Sequence, residues 1–298
     1  MTPDVVCVGG LFIDDIVFPD GRTKMGIIGG GSTHAAMGAV VWDERPGVAM
    51  VAGKDAPTHA KTFIDRYFET TGLIWLDTPQ IRAWQLFEWD GRRTELYRVE
   101  NISPYLVEPF PSQLPEAYQS VKGLHLLKDG GNEIQQWREL CPNAVICWEP
   151  QQHFMVAENA EVFRKTVSIP DIVSPNLLEA SCVYGFDEPE KLVDTILADG
   201  ANIVALRMGE KGSIVADARQ RFNIPAVHMD QIVDQTGAGN TYCGAFLVGW
   251  LRSNNLRKAG YSGAVAASFC LEEIGVLHWE ADKVETRDKR YKALLGRT

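Results

Sequence analysis

The run Asp234-Gln235-Thr236-Gly237-Ala238-Gly239-Asn240, leading directly into the apolar stretch Thr241 to Leu251, decides how this chain is read. Two glycines flank a small alanine, so backbone N–H groups can turn toward an anion with no side chain in the way. A helix over the stretch that follows adds the partial positive charge of its N-terminus. Together these features outline a phosphate site. The same residues also suit a tight, closely packed turn, and this segment alone does not separate the two.

Three more segments do. Gly29-Gly30-Gly31-Ser32-Thr33-His34-Ala35-Ala36, Ser174-Pro175-Asn176-Leu177-Leu178-Glu179 and Arg207-Met208-Gly209-Glu210-Lys211-Gly212-Ser213 precede the glycine loop in that order. With it, they resemble the motifs of the ribokinase-like (PfkB) carbohydrate kinases, over a stretch from Val5 to about Trp279. The resemblance implies a ribokinase-like α/β fold, a three-layer α/β/α sandwich with a small β-sheet lid formed by about 11–28 and 81–100 on a single domain, 1–298. It also implies ATP-dependent phosphoryl transfer to a hydroxyl of a sugar or nucleoside, with Mg2+ and a monovalent cation as cofactors.

The roles carry over by position. Gly237, Ala238 and Gly239 would offer N–H groups to the transferring phosphoryl group, and Thr236 precedes them against the nucleotide. Arg207, Gly209 and Gly212 belong to a strand-turn-strand that lies against the same nucleotide. Asn176 and Glu179 would hold magnesium through water, although Pro-Asn-Leu-Leu-Glu is equally a helix start and cap. Gly29, Gly30 and His34 belong to the substrate-side motif. Asp14 matches an acid that accepts hydrogen bonds from sugar hydroxyls, with Asp15 pointing elsewhere; Lys211 reads as a surface turn residue.

Two positions depart from the family pattern. His34 stands where Asn is usual, and Asn240 stands where the family has Asp as catalytic base. An amide can orient a hydroxyl but has no useful basicity near neutral pH. Asn240 therefore leaves three readings open: a natural subgroup with another base or none, a catalytically silent nucleotide- and sugar-binding protein with a regulatory role, or a substitution introduced to trap a complex. If a base is still needed, Asp234 and Asp14 are the carboxylates this reading offers.

Composition excludes other classes. At 298 residues and 45% hydrophobic content the chain can bury a substantial core. A net charge of −10 without Lys/Arg clusters gives no surface suited to nucleic acid or an acidic membrane. With no charged-then-apolar leader at Met1 and no apolar run approaching about 18 residues, a cytoplasmic location is expected. The six cysteines show no C-x-x-C spacing, so buried reduced thiols are expected, and the six histidines lack metal-ligand spacing. No P-loop, dinucleotide fingerprint or Gly-x-Ser-x-Gly elbow occurs.

Apolar runs at Val5 to Val8, Val48 to Ala52, Leu124 to Leu127, Val145 to Trp148, Ile172 to Ser174, Ile203 to Leu206 and Ser213 to Ala216 read as buried strands. Helical stretches at about Gly31 to Trp42, Glu133 to Leu140, Ala160 to Val167 and Lys191 to Leu197 alternate with them, which predicts a largely parallel sheet covered on both faces. Asp90-Gly91 between two strand-like runs predicts a hairpin. Its aromatics, Trp84, Phe87 and Trp89, could cover a ligand, pair with a second subunit in a homodimer, or pack within the sheet, and packing is the commonest use of such residues.

Overall fold

A computed structural model of the chain describes residues 2–89, 93–98 and 108–296. In chain order the strands are β1 (Val5–Gly10), β2 (Phe12–Val17), β3 (Thr23–Gly29), β4 (Gly47–Gly53), β5 (Glu69–Leu76), β6 (Arg82–Phe87), β7 (Arg93–Tyr97), β8 (Gly123–Lys128), β9 (Val145–Pro150), β10 (Ile172–Val173), β11 (Ile203–Arg207), β12 (Ser213–Asp217) and β13 (Arg221–Ile224). The helices are α1 (Gly31–Val40), α2 (Thr58–Tyr67), α3 (Asn132–Leu140), α4 (Ala160–Thr166), α5 (Leu177–Tyr184), α6 (Pro189–Ala198), α7 (Ala238–Ser253), α8 (Leu256–Cys270) and α9 (Val284–Leu295).

Nine strands form one sheet in the order β13-β12-β11-β10-β9-β8-β1-β4-β5. From β11 to β5 every pairing is parallel. β12 and β13 pair antiparallel, so the sheet is mixed at one end: the short links after Arg207 and Asp217 allow hairpins, not crossovers.

Period-two alternation divides the core into two layers, one on each face of the sheet. Val5 and Cys7 of β1 face a cluster that includes Val48, Met50, Phe246 and Phe269. Val6 and Val8 face another that includes Ile146, Trp148, Trp137 and Phe163. The first layer is built with α1, α2, α7 and α8, the second with α3 to α6. Close helix packing in the first layer depends on glycine: a Cβ at Gly38 would collide with the Thr241 carbonyl, and one at Gly244 with the Ala35 carbonyl.

The seven strands anticipated from apolar runs are all present, within two residues at their ends. α2, β5, α8 and α9 were not anticipated. α2 buries only Ala60, Phe63, Ile64 and Tyr67 amid polar residues and has Pro57, without a capping side chain, at its start, so it carries a weak local signal.

The remaining four strands make a smaller sheet in the order β3-β2-β6-β7. β6 and β7 are antiparallel, with Ala83 opposite Tyr97 and Phe87 opposite Arg93. The anticipated Asp90-Gly91 turn between them lies outside the described residues, as do residues 99 and 100 of the anticipated lid. β2 joins the hairpin by parallel pairing with β6. Only Leu11 separates β2 from β1, so the small sheet's inner strand continues an interior strand of the large one, the one at which its order turns.

Candidate active site

The large sheet changes direction at β1. The chain builds outward to β4 and β5 on one side, then returns to β8 and proceeds through β9, β10 and β11 on the other. In such sheets the crevice beyond the carboxyl ends of the strands at this switch point is where ligands bind. Here it is a cleft of about 1260 Å³. Its floor carries Gly9 and Gly10 from the end of β1, Leu127 from β8, Glu149 from β9, Asn176 just after β10 and Arg207 at the end of β11. The small sheet supplies the other wall with Asp14, Gln85, Phe87, Arg93, Glu95 and Tyr97.

The glycine loop enters from the far side. Asp234 is buried and spends its carboxylate on the loop itself, accepting from the Thr236 N–H at 2.9 Å, the Thr236 hydroxyl at 2.7 Å and the Gly275 N–H at 3.0 Å. It is absent from the cleft wall, so the anticipated choice of Asp234 as a base gives way to a loop-holding role. Gly237 takes φ +74°, a left-handed conformation that a side chain disfavours, and a Cβ there would strike the His34 ring. α7 then runs for 16 residues with no side chain capping its N-terminus. The Ala238 N–H donates to the Gln235 carbonyl at 3.3 Å, so the N–H groups that an anion could meet are those that follow it in the first turn.

A buried charge network lies beneath the loop. A Cβ at Gly239 would collide with the Arg207 guanidinium, so the bare backbone rests on that cation. Arg207 donates to the Ser174 carbonyl at 2.8 Å, pairs with Glu149 Oε1 at 2.7 Å and lies 3.7 Å from Glu179 Oε2. The other Glu149 oxygen meets His125 Nε2 at 3.0 Å. Burial would raise the Glu149 pKa, but Arg207, His125 and a hydrogen bond from the Asn240 side chain outweigh it and hold the group at about 2. Burial alone would lower His125; the Cys243 thiol and Glu149 beside it raise it to about 9. His34 is pushed the other way, to about 4, by burial, so it is neutral where it meets the loop.

Asn176 and Glu179 form a capping box at the start of α5. Asn176 Oδ1 accepts from the Glu179 N–H at 2.8 Å, and Glu179 Oε2 accepts from the Asn176 N–H at 2.8 Å. Both also line the cleft, and burial raises the Glu179 pKa. The helix-cap and cleft readings of this motif therefore hold together.

In the small sheet, Asp14 is 3% exposed and accepts from Gln85 Nε2 at 3.2 Å; the same amide donates to Glu95 at 2.9 Å. Burial raises Asp14 to about 7, with Glu95 and Asp15 adding to the shift against Gln85 and Arg93. Gly29 leaves room for that carboxylate, since a Cβ there would overlap it. Gly30, at φ +94°, lines the cleft and precedes α1. Asp15 turns to the other face, where it accepts from the Gly26 N–H at 2.7 Å and pairs with Arg98. Of the three hairpin aromatics, Phe87 reaches the cleft and stacks on Phe18, Trp84 lies under Arg98, and Trp89 is 79% exposed.

Thr236, Gly237, Gly239, Asn240, Asn176, Glu179, Arg207, Asp14, Gly30 and His34 thus meet at one cleft, while Ala238 starts α7 just behind it. Gly209 and Gly212 form the positive-φ turn between β11 and β12 and lie off the cleft wall. Glu149 and His125 were not singled out from sequence. The available signal was an acid closing an apolar strand, Trp148-Glu149-Pro150, at the end where parallel sheets bind ligands.

Residues 90–281 match the family described as pfkB family carbohydrate kinase. A cytidine kinase of Thermococcus kodakarensis is 26% identical, over 91% of this chain and 97% of its own length. The crystal structure of the Methanocaldococcus jannaschii nucleoside kinase, described as an archaeal member of the ribokinase family, superposes with a TM-score of 0.74 at 19% identity, covering 97% of this chain and 98% of that one. Fructokinase from Vibrio cholerae O395, solved with fructose, ADP and calcium ion, gives a TM-score of 0.77 at 16% identity, over 96% and 98% of the two chains. At these identities the two structures speak for the fold. Among the described residues no helix is long and apolar enough to cross a membrane.

Proposed function

The chain belongs to the pfkB family of carbohydrate kinases, and from that premise we propose that it transfers the terminal phosphoryl group of ATP to a hydroxyl of a sugar or nucleoside held between the two sheets. The observation that carries this reading is the uncapped N-terminus of α7, bare of side chains at Gly237 and Gly239 and backed by Arg207, opening on the cleft at the sheet's switch point. Backbone N–H groups and a guanidinium fixed in advance suit the charge that gathers on a transferring phosphoryl group.

The acceptor side is chemically distinct. Asp14, Gln85 and Glu95 present hydrogen-bonding groups suited to adjacent hydroxyls, and Phe12, Phe87 and Tyr97 add aromatic faces. Aromatic walls beside polar groups support a nucleoside within the proposed class, in keeping with the relative named as a cytidine kinase. The small sheet then serves as a lid over the acceptor.

Magnesium suits the Asn176/Glu179 pair: the capping box engages Asn176 Oδ1 and Glu179 Oε2, and both side chains line the cleft with acceptor oxygens of the type that holds a hydrated ion through its water. Bound there, the ion would offset charge on the phosphates. The second reading, a silent binding protein, is favoured by the two departures from the family pattern, Asn240 and His34.

Calorimetry with ATP and Mg2+, then a phosphoryl-transfer screen across nucleosides and sugars, tests the reading. Binding together with transfer to one acceptor class is expected. No binding at millimolar nucleotide by the folded protein would remove the nucleotide site, and binding of both ligands without transfer would favour the silent protein.

A further inference from the structure

We propose that Glu149 accepts the proton of the attacking hydroxyl, the task for which Asn240 lacks basicity; this inference rests on the phosphoryl-transfer reading above. Glu149 closes β9 at the carboxyl end of the sheet and, although only 2% exposed, forms part of the cleft wall together with Asn240. Its carboxylate has two partners, Arg207 on Oε1 and His125 on Oε2. An ionised carboxylate offers about four acceptor positions. These two partners leave acceptor capacity for a hydroxyl brought to the cleft.

Asn240 and Glu149 line the same cleft, so this acid shares a wall with the position at which the family has its carboxylate. With an amide at the helix N-terminus, Glu149 at the end of β9 is an acid on the same cleft wall that can take the proton. His125, Glu149 and Cys243 also bring ligand-type atoms within 4.8 Å of one another. The Arg207 guanidinium on the same carboxylate opposes a second cation there, so a proton-handling role fits the charges better than a metal.

In the step, the hydroxyl oxygen bonds to the γ-phosphorus, and the bond from that phosphorus to the bridging oxygen breaks with its electron pair leaving on ADP. The hydroxyl proton passes to Glu149, which afterwards yields it to solvent. Arg207 and His125 keep Glu149 ionised and ready, at the expense of basicity. A weak base suffices, because in a loose transition state the hydroxyl becomes strongly acidic only as its oxygen bonds to phosphorus.

The test measures kcat and KM for the native protein, Glu149→Gln, and Glu149→Gln combined with Asn240→Asp, using the best acceptor of the screen, or MgATP hydrolysis with water as acceptor. ATP affinity by calorimetry reports that each variant keeps its fold. Glu149→Gln should lower kcat by about 10²- to 10⁴-fold with ATP affinity changed less than about threefold. Restoring the acid on the helix side in the double variant should recover at least about tenfold. A Glu149→Gln protein that binds ATP and keeps kcat within about threefold of native overturns this inference and leaves the kinase reading standing. A native protein that transfers to no acceptor, water included, overturns both.

Discussion

Asp14 shows how one side chain can be legible in sequence while its chemistry is not. Its place after Val8-Gly9-Gly10 puts it at the strand end that lines the cleft, but burial beside Glu95 and Asp15, which carries it to about 7, depends on β7 and the small sheet. The sign of the consequence follows. A carboxyl raised to about 7 is half protonated at neutral pH, and only the ionised form accepts hydrogen bonds from two hydroxyls. The acceptor KM should therefore fall as pH rises from 6 to 8, and Asp14→Asn should raise KM and flatten that dependence. Steady-state kinetics at fixed MgATP would check both; a slope unchanged in Asp14→Asn would place the titration elsewhere. Glu149 was harder to see. Its partners His125 and Arg207 come from distant parts of the chain, and no local pattern announces that they meet. Asp234 misled for the converse reason: adjacency to the glycine loop suggested chemistry, and adjacency is what lets it hold Thr236 instead.

Among the elements, α7 combines an N-terminus free of any capping side chain with a tightly packed body. The loop that starts it was legible because its requirement is local: Gly237 needs a left-handed backbone. Gly237→Val would force a β-branched residue to φ +74° against His34. We expect ATP affinity to fall at least about tenfold with the circular dichroism spectrum retained. The body is another matter. Gly244 approaches the Ala35 carbonyl of α1 so closely that Gly244→Val should cost at least about 2 kcal/mol of stability, read as a lower urea midpoint at unchanged slope. A stability loss below about 0.5 kcal/mol would mean that α1 and α7 can separate at little cost. In sequence, Gly244 is simply one small residue in an apolar helix; its role appears only when α1 is laid across it.

Over the whole molecule, the parallel core was read from its apolar runs, because strands buried on both faces need nothing but hydrophobic side chains. The small sheet was expected from the hairpin and the family resemblance, whereas its β2–β6 pairing joins segments that no short-range pattern links. If this sheet covers the acceptor, amides of β6 and β7 should exchange more slowly with solvent deuterium when nucleotide and acceptor are both bound, and the buried strands β1 and β8 should change little. Equal protection of both sheets would indicate general tightening instead of closure.

The single residue, Leu11, that joins β1 to β2 has a consequence for how such a protein could change its diet. In the proposed reading, the phosphoryl end of the cleft is built from the strand tips of the large sheet and the start of α7, and the acceptor end from β2, β6 and β7. Mutations in the latter segments can retune what is accepted without disturbing the donor apparatus. Because β2 is rooted in an interior strand of the large sheet with almost no slack, the replacement must arrive in register: new tastes come by swapping side chains on a fixed frame, and not by inserting length at the join.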